Sequence, residues 1–162
     1  MSAPQGYSAT QIVLHWLVAG LILFQLVFGE AMSTAWRAVR RDMAPDMTLA
    51  VWAHIIAGIA VLVFALWRLQ LRATRGAPDA PADTALMMAA ATWGHRALYA
   101  VMLLTPITGL LAWYGGVVEA GEVHEWFKPV IIVLVAGHVL AALYHQFIRK
   151  DGLLVRMKRP LD

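Results

Sequence analysis

The sequence contains no cysteine among its 162 residues. This absence excludes disulfide bonds, iron–sulfur clusters held by thiolates, and covalent cofactor attachment through a Cys-x-x-Cys-His motif. Charged residues are also scarce, at 14% of the chain, where a soluble domain has about a quarter. Apolar residues make up 60% of the chain. This balance indicates an integral membrane protein.

Aspartate and glutamate are absent from four long apolar runs, near residues 12–29, 49–67, 97–114 and 130–147. Each run suits a membrane span, because about 20 apolar residues cross a bilayer core of ~30 Å. The first run has no basic region before it and no small-residue cleavage site after it, so we expect a retained helix. We predict an all-α membrane protein, a four-helix transmembrane bundle formed by one domain over residues 1–162.

The residues between the runs give the expected connections and the orientation. We predict a connection over residues 31–48, an irregular one over 73–85 and a short acidic loop over 115–123. Tryptophan favours the membrane–water boundary, and this residue lies near the start or end of the runs, at Trp16, Trp36, Trp52, Trp67, Trp93, Trp113 and Trp126. Lysine and arginine number nine on the side of the termini and four on the other side. Both termini are therefore predicted to be cytoplasmic.

Three histidines share one face of the last predicted helix. His138 lies 14 residues after His124, and His145 lies 7 residues after His138. At 100° per residue all three side chains lie within roughly 40° of one face, and the first two lie roughly 21 Å apart along the axis. This distance is too long for one metal ion. It suits two cofactors stacked through a membrane.

A b-type haem that transfers electrons needs two imidazoles from different helices. On the outer side, the predicted topology offers His54 with His124. On the inner side, His138 is the expected ligand, and its partner is His15 or His95, with the spacing favouring His15 only slightly. A metal-ion or proton pathway, or purely structural histidines, would also explain some of these residues. The apolar runs lack the carboxylates that a cation pathway usually carries.

Several other residues are candidates for cofactor contacts. Gly58, four residues after His54, would let a flat ligand approach the backbone, although close helix packing explains it equally well. Arg68 and Arg72 lie at the expected depth of the inner haem and are candidates to pair with propionates. On the outer side, a basic cluster is formed by Arg37, Arg40 and Arg41. These side chains could pair with haem propionates or attract a small anionic reductant. The alternative is a basic loop that is simply solvated.

Four stretches of the chain resemble the prokaryotic cytochrome b561 family of four-helix, di-haem membrane cytochromes. They are LHWLVAG at His15, WAHIIAGIAVLVFALWRLQLR at His54, TWGHRALYAVMLLTPITGLL at His95, and VHEWFKPVIIVLVAGHVLAALYHQFIRKDG. The resemblance implies that His15 and His138 bind a cytoplasmic-side haem b and that His54 and His124 bind a periplasmic-side one. It also implies ubiquinone binding near His95 and His145, in a protein of the bacterial inner membrane.

The expected function is electron transfer from a periplasmic donor through two haems to a membrane quinone. Imidazole titrates near neutrality, so His95 and His145 suit the handling of quinone protons, although boundary histidines bonded to lipid headgroups are the alternative. The donor is a small anion, such as superoxide in a superoxide:quinone oxidoreductase, or a protein. Two other functions stay open: a cytochrome b anchor subunit of a dehydrogenase or hydrogenase, and a metal-ion transporter. We expect lipid contact and no nucleic-acid partner.

Overall fold

A computed structural model describes residues 6–78 and 84–160. These residues form five α-helices and no strand, in the order α1 (Ala9–Phe28), α2 (Glu30–Val39), α3 (Leu49–Arg75), α4 (Ala85–Gly115) and α5 (Val118–Tyr144). A π-helical turn (His145–Arg149) continues α5, and a 3-10 turn (Val155–Met157) follows it. The predicted all-α fold is confirmed.

Residues with hydroxyl side chains cap the N-termini of three of the long helices. Ser8 caps α1 and forms a capping box with Gln11, while Thr48 and Thr84 cap α3 and α4. Each hydroxyl accepts a hydrogen bond from a backbone N–H of the first turn, which has no partner within the helix. At the other end of α4, Gly116 adopts a left-handed φ of 67° and lets the chain turn into α5.

Four helices are long and apolar enough to cross a membrane: Ala9–Phe28, Leu49–Arg75, Ala85–Gly115 and Val118–Arg149, the last including the π-helical turn. Many of their large apolar side chains face outwards, as Val133 and Leu140 do at 71% and 66% exposure. In water such a surface would be unfavourable, but against lipid tails it is not. The predicted number of spans is confirmed.

The helices pack in the order α1, α3, α4 and α5, since α3 contacts both α1 and α4, and α5 contacts α4. A core lies where α1, α3 and α4 meet, formed by Val18, Val61, Ala65 and Met102. A second core lies at the outer end, where Ala35 of α2 packs with Val51 and Ile55 of α3. Packing in these two cores determines the positions of the helices relative to one another along the bundle axis.

The prediction of a connection over residues 31–48 is wrong for its first part, because Glu30–Val39 forms α2. Its buried side chains, Ala35 and Trp36, face the bundle. Trp36 is only 6% exposed, so it is a packing residue and not the membrane-boundary residue that the sequence suggested. Its indole lies so close to Gly121 of α5 that no β-carbon fits there. α2 therefore covers the outer end of the bundle.

Three other predicted boundaries are also wrong. Residues 115–123 do not form a loop, because α5 begins at Val118 and includes Glu119 and Glu122. His95 lies ten residues inside α4, which begins at Ala85, and not at the start of that span. The predicted irregular connection of residues 73–85 begins later than expected, since α3 runs to Arg75; residues 79–83 lie outside the described residues.

The segment after α5 folds back onto the inner end of the bundle. The indole Nε1–H of Trp16, on α1, donates to the carbonyl of Met157 at 2.8 Å. Nearby, the amide of Gln11 donates to the carbonyl of Gly76 at 3.1 Å and joins the start of α1 to the end of α3. The first bond places Met157 beside α1, and the second joins α1 to the end of α3.

Candidate cofactor sites

The outer site is formed by His54 of α3 and His124 of α5. Their ring centroids lie 6.2 Å apart, with an angle of 69° between the planes. The prediction paired these two histidines, and the structure brings them together. The helices α3 and α5 do not pack directly along their length, so the two rings reach towards each other across the bundle interior.

The inner site brings three histidines together. The rings of His15, on α1, and His138, on α5, have centroids 6.1 Å apart, and those of His95 and His138 lie 5.4 Å apart at 82°. Both residues that the spacing left open as partners of His138 therefore lie near it. They differ in their surroundings: His95 is exposed and its Nδ1 hydrogen-bonds the Ala91 carbonyl, whereas His15 is half-buried.

The arrangement of the rings fits a bis-imidazole haem at each level. An imidazole nitrogen binds a metal at about 2 Å, so two rings that share one iron have centroids roughly 6 Å apart. Both pairs meet this distance, at 6.1 and 6.2 Å. Within the described part of the chain, the buried Nδ1 atoms of His15 and His54 have no hydrogen-bond partner. A buried polar atom without a partner is rare unless it serves a ligand or a function.

The α4 backbone fixes the ring of His124. Its Nδ1 lies 2.7 Å from the carbonyl oxygen of Thr105, and this carbonyl can only accept, so Nδ1 carries a proton and Nε2 is the nitrogen left to bind a metal in the neutral ring. Gly109, one turn further along α4, provides the space for the ring. A carbonyl partner of this kind orients a metal-ligating histidine.

Gln25 of α1 lies beside the backbone of His54. Its Nε2 donates to the carbonyl of His54 at 2.8 Å, and a β-carbon at Gly58 would come within 3.3 Å of that nitrogen. The side chain nearest to Gly58 is thus an amide from a neighbouring helix. This contact fits the packing alternative for Gly58.

Basic residues gather at the inner end of α3. The guanidinium of Arg68 lies 5.9 Å from the centroid of the Tyr99 ring. Burial raises the pKa of Tyr7 above its ordinary value of 10.0, while the charges of Arg72, Arg68 and Arg156 act in the opposite direction. These side chains therefore surround a half-buried phenol close to the inner histidines, where an anionic group would be stabilised.

The basic residues at the outer end have acidic neighbours. Arg37 lies 3.3 Å from Glu30, and Arg40 lies 3.6 Å from Glu122 on α5. All four side chains are more than 40% exposed. The positive field that the sequence suggested here is therefore partly neutralised by carboxylates on the same surface.

His145 has a carboxylate partner at the inner end. Its Nδ1 lies 2.6 Å from Oδ2 of Asp151, and both side chains are mostly buried, at 15% and 20% exposure. The hydrogen bond from His145 lowers the pKa of Asp151 below its ordinary value of 3.8. The ring of His95 lies 5.4 Å from that of His138, and His145 follows His138 by seven residues, in the turn that continues α5.

Sequence reasoning missed Thr105, Gly109, Gln25 and Asp151, which contact the histidines. Thr105 acts through its backbone, so its side-chain identity gives no signal. Gly109 and Gln25 lie in apolar helices, where a small residue or an isolated amide indicates close packing or a buried polar contact. For Gly109 and Gln25, the sequence therefore contained a signal that could have identified them. Asp151 depends on a chain reversal whose direction the sequence does not specify.

A metal-ion transporter would be expected to hold its ion in a cluster of several ligands. In residues 6–78 and 84–160, no group of three or more histidine, aspartate and glutamate side chains is arranged to hold one metal ion. At each of the two levels, two imidazole rings from different helices instead lie about 6 Å apart, which is the separation expected of two imidazoles on one haem iron.

A four-span bundle with opposed imidazoles at two heights defines the class of membrane-bound b-type cytochromes. Comparison with known proteins gives the particular family. The chain belongs to the prokaryotic cytochrome b561 family, whose sequence model matches residues 6–160. It is thus a haem-binding membrane protein of electron transport, and b-type haem is the cofactor of the family.

Individual relatives match along nearly the whole chain. Cytochrome b562 of Cereibacter sphaeroides is 39% identical and covers 99% of both chains. Cytochrome b561 homolog 1 of Escherichia coli is 31% identical over 93% of this chain and 96% of its own. The protein named "probable superoxide oxidase CybB" of Yersinia pestis is 26% identical over 93% of this chain and 94% of its own.

Proposed function

We propose that this protein transfers electrons across the bacterial inner membrane, from a donor on the outer side to a quinone on the inner side. In this proposal His54 and His124 hold one haem b and His15 and His138 hold a second. When bound, each haem supplies reversible one-electron reduction and oxidation. The observation that carries the proposal is the presence of two opposed ring pairs, 6.2 and 6.1 Å between centroids, at two heights of one bundle.

Helix α5 determines the vertical distance between the two sites. It supplies one histidine to each pair, and the interval of 14 residues between His124 and His138 corresponds to about 21 Å along the axis. Helices α1 and α3 supply the partners from opposite ends of the bundle. Because α5 contributes to both pairs, the two proposed haem sites would lie one above the other across the bilayer.

His15 is the proposed inner partner of His138 in preference to His95. Its ring is half-buried, whereas the ring of His95 is exposed. A haem ligand in a membrane protein benefits from burial, because exclusion of water tunes the potential of the iron. His95 then lies beside the inner site, where it is available for a quinone.

Arginines near the inner pair would bind the propionates of that haem. Arg68 and Arg72 come from the end of α3 that also contributes to the surroundings of Tyr7. A guanidinium pairs a carboxylate through two parallel hydrogen bonds and keeps its charge at every physiological pH. These residues would fix the orientation of the macrocycle and raise the stability of its reduced state relative to an uncharged site.

The outer surface would receive the electron donor. One relative has a name that describes a superoxide oxidase, and superoxide is a small anion that a positive surface attracts. Arg37 and Arg40 supply positive charge, while Glu30 and Glu122 moderate it. We propose superoxide as the donor because the outer site is covered by α2, which leaves access for a small molecule more readily than for a protein.

The quinone would bind at the inner end, near His95 and His145. Reduction of a quinone consumes protons, and imidazoles near the cytoplasmic surface can supply them. The predicted orientation, with both termini in the cytoplasm, would put these residues on the side from which the protons are taken. Nine of the 13 lysines and arginines belong to that side in the predicted topology.

Haem quantification of the purified protein tests the proposal. Wild type should contain two haems per chain, and His54→Ala and His15→Ala should each contain one, with reduced spectra and midpoint potentials that differ between the two variants. His95→Ala is the matched control and should keep both haems. Two haems retained in His15→Ala, with one lost in His95→Ala, would reassign the inner ligand. A colourless wild-type protein would overturn the proposal.

A further inference from the structure

The two histidines of the outer pair differ in what their Nδ1 atoms contact. Nδ1 of His124 lies 2.7 Å from the carbonyl oxygen of Thr105. Nδ1 of His54 is buried and, within residues 6–78 and 84–160, has no hydrogen-bond partner. A histidine that binds a metal through Nε2 almost always donates its Nδ1–H to an oxygen atom. For His54 this oxygen must come from a group nearby that has no other hydrogen bond.

Gln25 of α1 carries such an oxygen. Its Nε2 donates to the backbone carbonyl of His54 at 2.8 Å, so the side chain ends beside that histidine. The carbonyl can only accept, which identifies Nε2 as the amide atom that faces it and Oε1 as the atom left over. In the part of the chain that the structure describes, Oε1 is buried and unpartnered. One amide therefore joins α1 to α3 and brings an uncommitted acceptor to His54.

The unpartnered atoms of Gln25 and His54 are chemically complementary. The amide oxygen can only accept a hydrogen bond, and a neutral imidazole that binds a metal through Nε2 carries its proton on Nδ1 and donates it. A buried polar atom without a partner destabilises a fold, and one hydrogen bond between these two atoms would satisfy both. The last side-chain torsions of glutamine and histidine have broad energy minima, so small rotations can close the bond.

Other buried donors are poorly placed for this oxygen. Among the described residues, the other buried side-chain nitrogens without a partner are Nδ1 of His15 and Nε1 of Trp36. His15 lies ten residues before Gln25 on the same helix, which is about 15 Å along the axis. The Trp36 indole lies against Gly121 of α5. His54 is the donor whose backbone Gln25 already contacts.

Gly58 lets the Gln25 amide reach this position. It lies one turn after His54 on α3, and a β-carbon built on it would come within 3.3 Å of Nε2 of Gln25. This is closer than an ordinary van der Waals contact, so a larger residue would push the amide away from the His54 carbonyl. Small residues in membrane helices permit such close approaches between neighbouring spans. The sequence of α3 therefore provides the space that the contact needs.

We propose that Oε1 of Gln25 accepts the Nδ1–H of His54 in the haem-loaded outer site, an inference that rests on the proposed function. Gln25 is a positioning residue, because it touches the histidine and not the cofactor. The hydrogen bond fixes the orientation of the ring and makes Nε2 more basic. A more basic ligand stabilises ferric iron relative to ferrous iron, so the bond lowers the midpoint potential of the outer haem. Helix α1 thus acts on His54 as α4 acts on His124 through Thr105.

The test is a redox titration of the full-length, haem-loaded protein in detergent, followed by visible absorption. The outer component is identified as the one that His54→Ala lacks. Gln25→Met keeps the length of the side chain and removes both amide groups. Its outer component should become easier to reduce by about tenfold in the equilibrium constant, which is about 59 mV for one electron, while the inner component stays unchanged. Gln70→Met, at an exposed position on α3, is the matched control and should titrate like wild type.

Gln25→Glu separates the role of the oxygen from that of the amide N–H. It keeps an oxygen acceptor beside His54, so its outer component should titrate at or below the wild-type potential. A shift as positive as that of Gln25→Met would assign the effect to the lost Nε2 bond and overturn the proposal. A wild-type potential in Gln25→Met, or an equal shift of both components, would also overturn it. If Gln25→Met does not retain the outer haem, Gln25→Asn, which withdraws the amide by one methylene, replaces it under the same criteria.

Failure of the proposed function has a different signature. If wild type contains no haem, or His54→Ala retains as many haems as wild type, His54 is not a ligand and the role of Gln25 falls with it. If His54→Ala loses one haem and the Gln25 variants titrate like wild type, the outer haem site stands and only the role of Gln25 is overturned.

Discussion

Gly109 of α4 lies directly against the imidazole of His124: a β-carbon built on this glycine would come within 2.9 Å of both Cε1 and Nδ1 of the ring. The same ring is held one turn away by the Thr105 carbonyl, 2.7 Å from Nδ1. The ring therefore has a hydrogen bond on one side and helix backbone beside it. Helix α4 therefore determines where the ring of His124, a proposed haem ligand, points.

Gly109→Ala should disturb the outer haem selectively. The added methyl group lies on the backbone of α4, which is held rigidly in the helix. The His124 ring must therefore move by some tenths of an ångström. We expect a lower content of the outer haem, or a changed midpoint potential, together with a loss of stability of about 1–3 kcal/mol. Redox titration of the purified variant measures both. Gly20→Ala, where nothing lies within 4 Å of the new β-carbon, should behave like wild type.

Gly121→Ala should separate α2 from the bundle. A β-carbon at this position would come within 2.7 Å of Cε2 of Trp36, a side chain that is only 6% exposed. We expect a lower Tm in detergent, corresponding to about 1–3 kcal/mol. Trp36→Ala in the same chain should relieve the collision, so the effects of the two changes should not add. An additive double variant would show that Trp36 is not the group displaced.

The Arg40–Glu122 pair should influence the donor reaction and not the stability. A guanidinium nitrogen of Arg40 lies 3.6 Å from a carboxylate oxygen of Glu122, and both side chains are exposed. Exposed ion pairs contribute about 0–1 kcal/mol to the free energy of unfolding. If superoxide is the donor, Glu122→Gln should speed haem reduction by superoxide at low salt, and Arg40→Ala should slow it. The differences should fade as ionic strength rises. Arg159→Ala, at the opposite end, should show neither effect. Equal rates in all variants would exclude electrostatic attraction at this surface.

Asp151→Asn should remove a pH-dependent part of the stability. The pKa of Asp151 is lower in the folded protein than its ordinary value of 3.8, chiefly because of the His145 hydrogen bond. A carboxyl group with a lowered folded pKa stabilises the fold fully above its unfolded pKa, and the gain is lost as pH falls through the lower folded pKa. Wild type should thus exceed the variant in Tm above about pH 4 and converge with it in stronger acid. Asp46→Asn is the control, and a Tm difference that persists in strong acid would contradict this linkage.

The four spans and the outer histidine pair were predictable from the sequence because they depend on regularities of the helix itself. Length and hydropathy determine which segments cross a membrane, and the interval of 14 residues brings His124 and His138 to one face of α5. The inner pair was less certain. Spacing left His15 and His95 open as partners of His138, and both rings do lie near it, at 6.1 and 5.4 Å.

Helix α2 was missed because its sequence is short and polar and follows a membrane span. Its apolar side chains nevertheless recur at Met32, Ala35, Trp36 and Val39, three or four residues apart, as in an amphipathic helix. The contact of Trp36 with Gly121 joins residues 85 positions apart in the chain, so only the packed structure shows it. The partner of His145 was missed for a similar reason, since its position depends on a left-handed residue that propensity disfavours.

Both ring pairs take one member from α5, which the ribosome makes after α1 and α3. Neither His15 nor His54 can meet its partner until that segment has been synthesised and inserted beside α4. In the proposed assignment, cofactor loading would therefore be coupled to the final stage of biogenesis, and a chain interrupted before residue 118 would lack one proposed ligand of each haem.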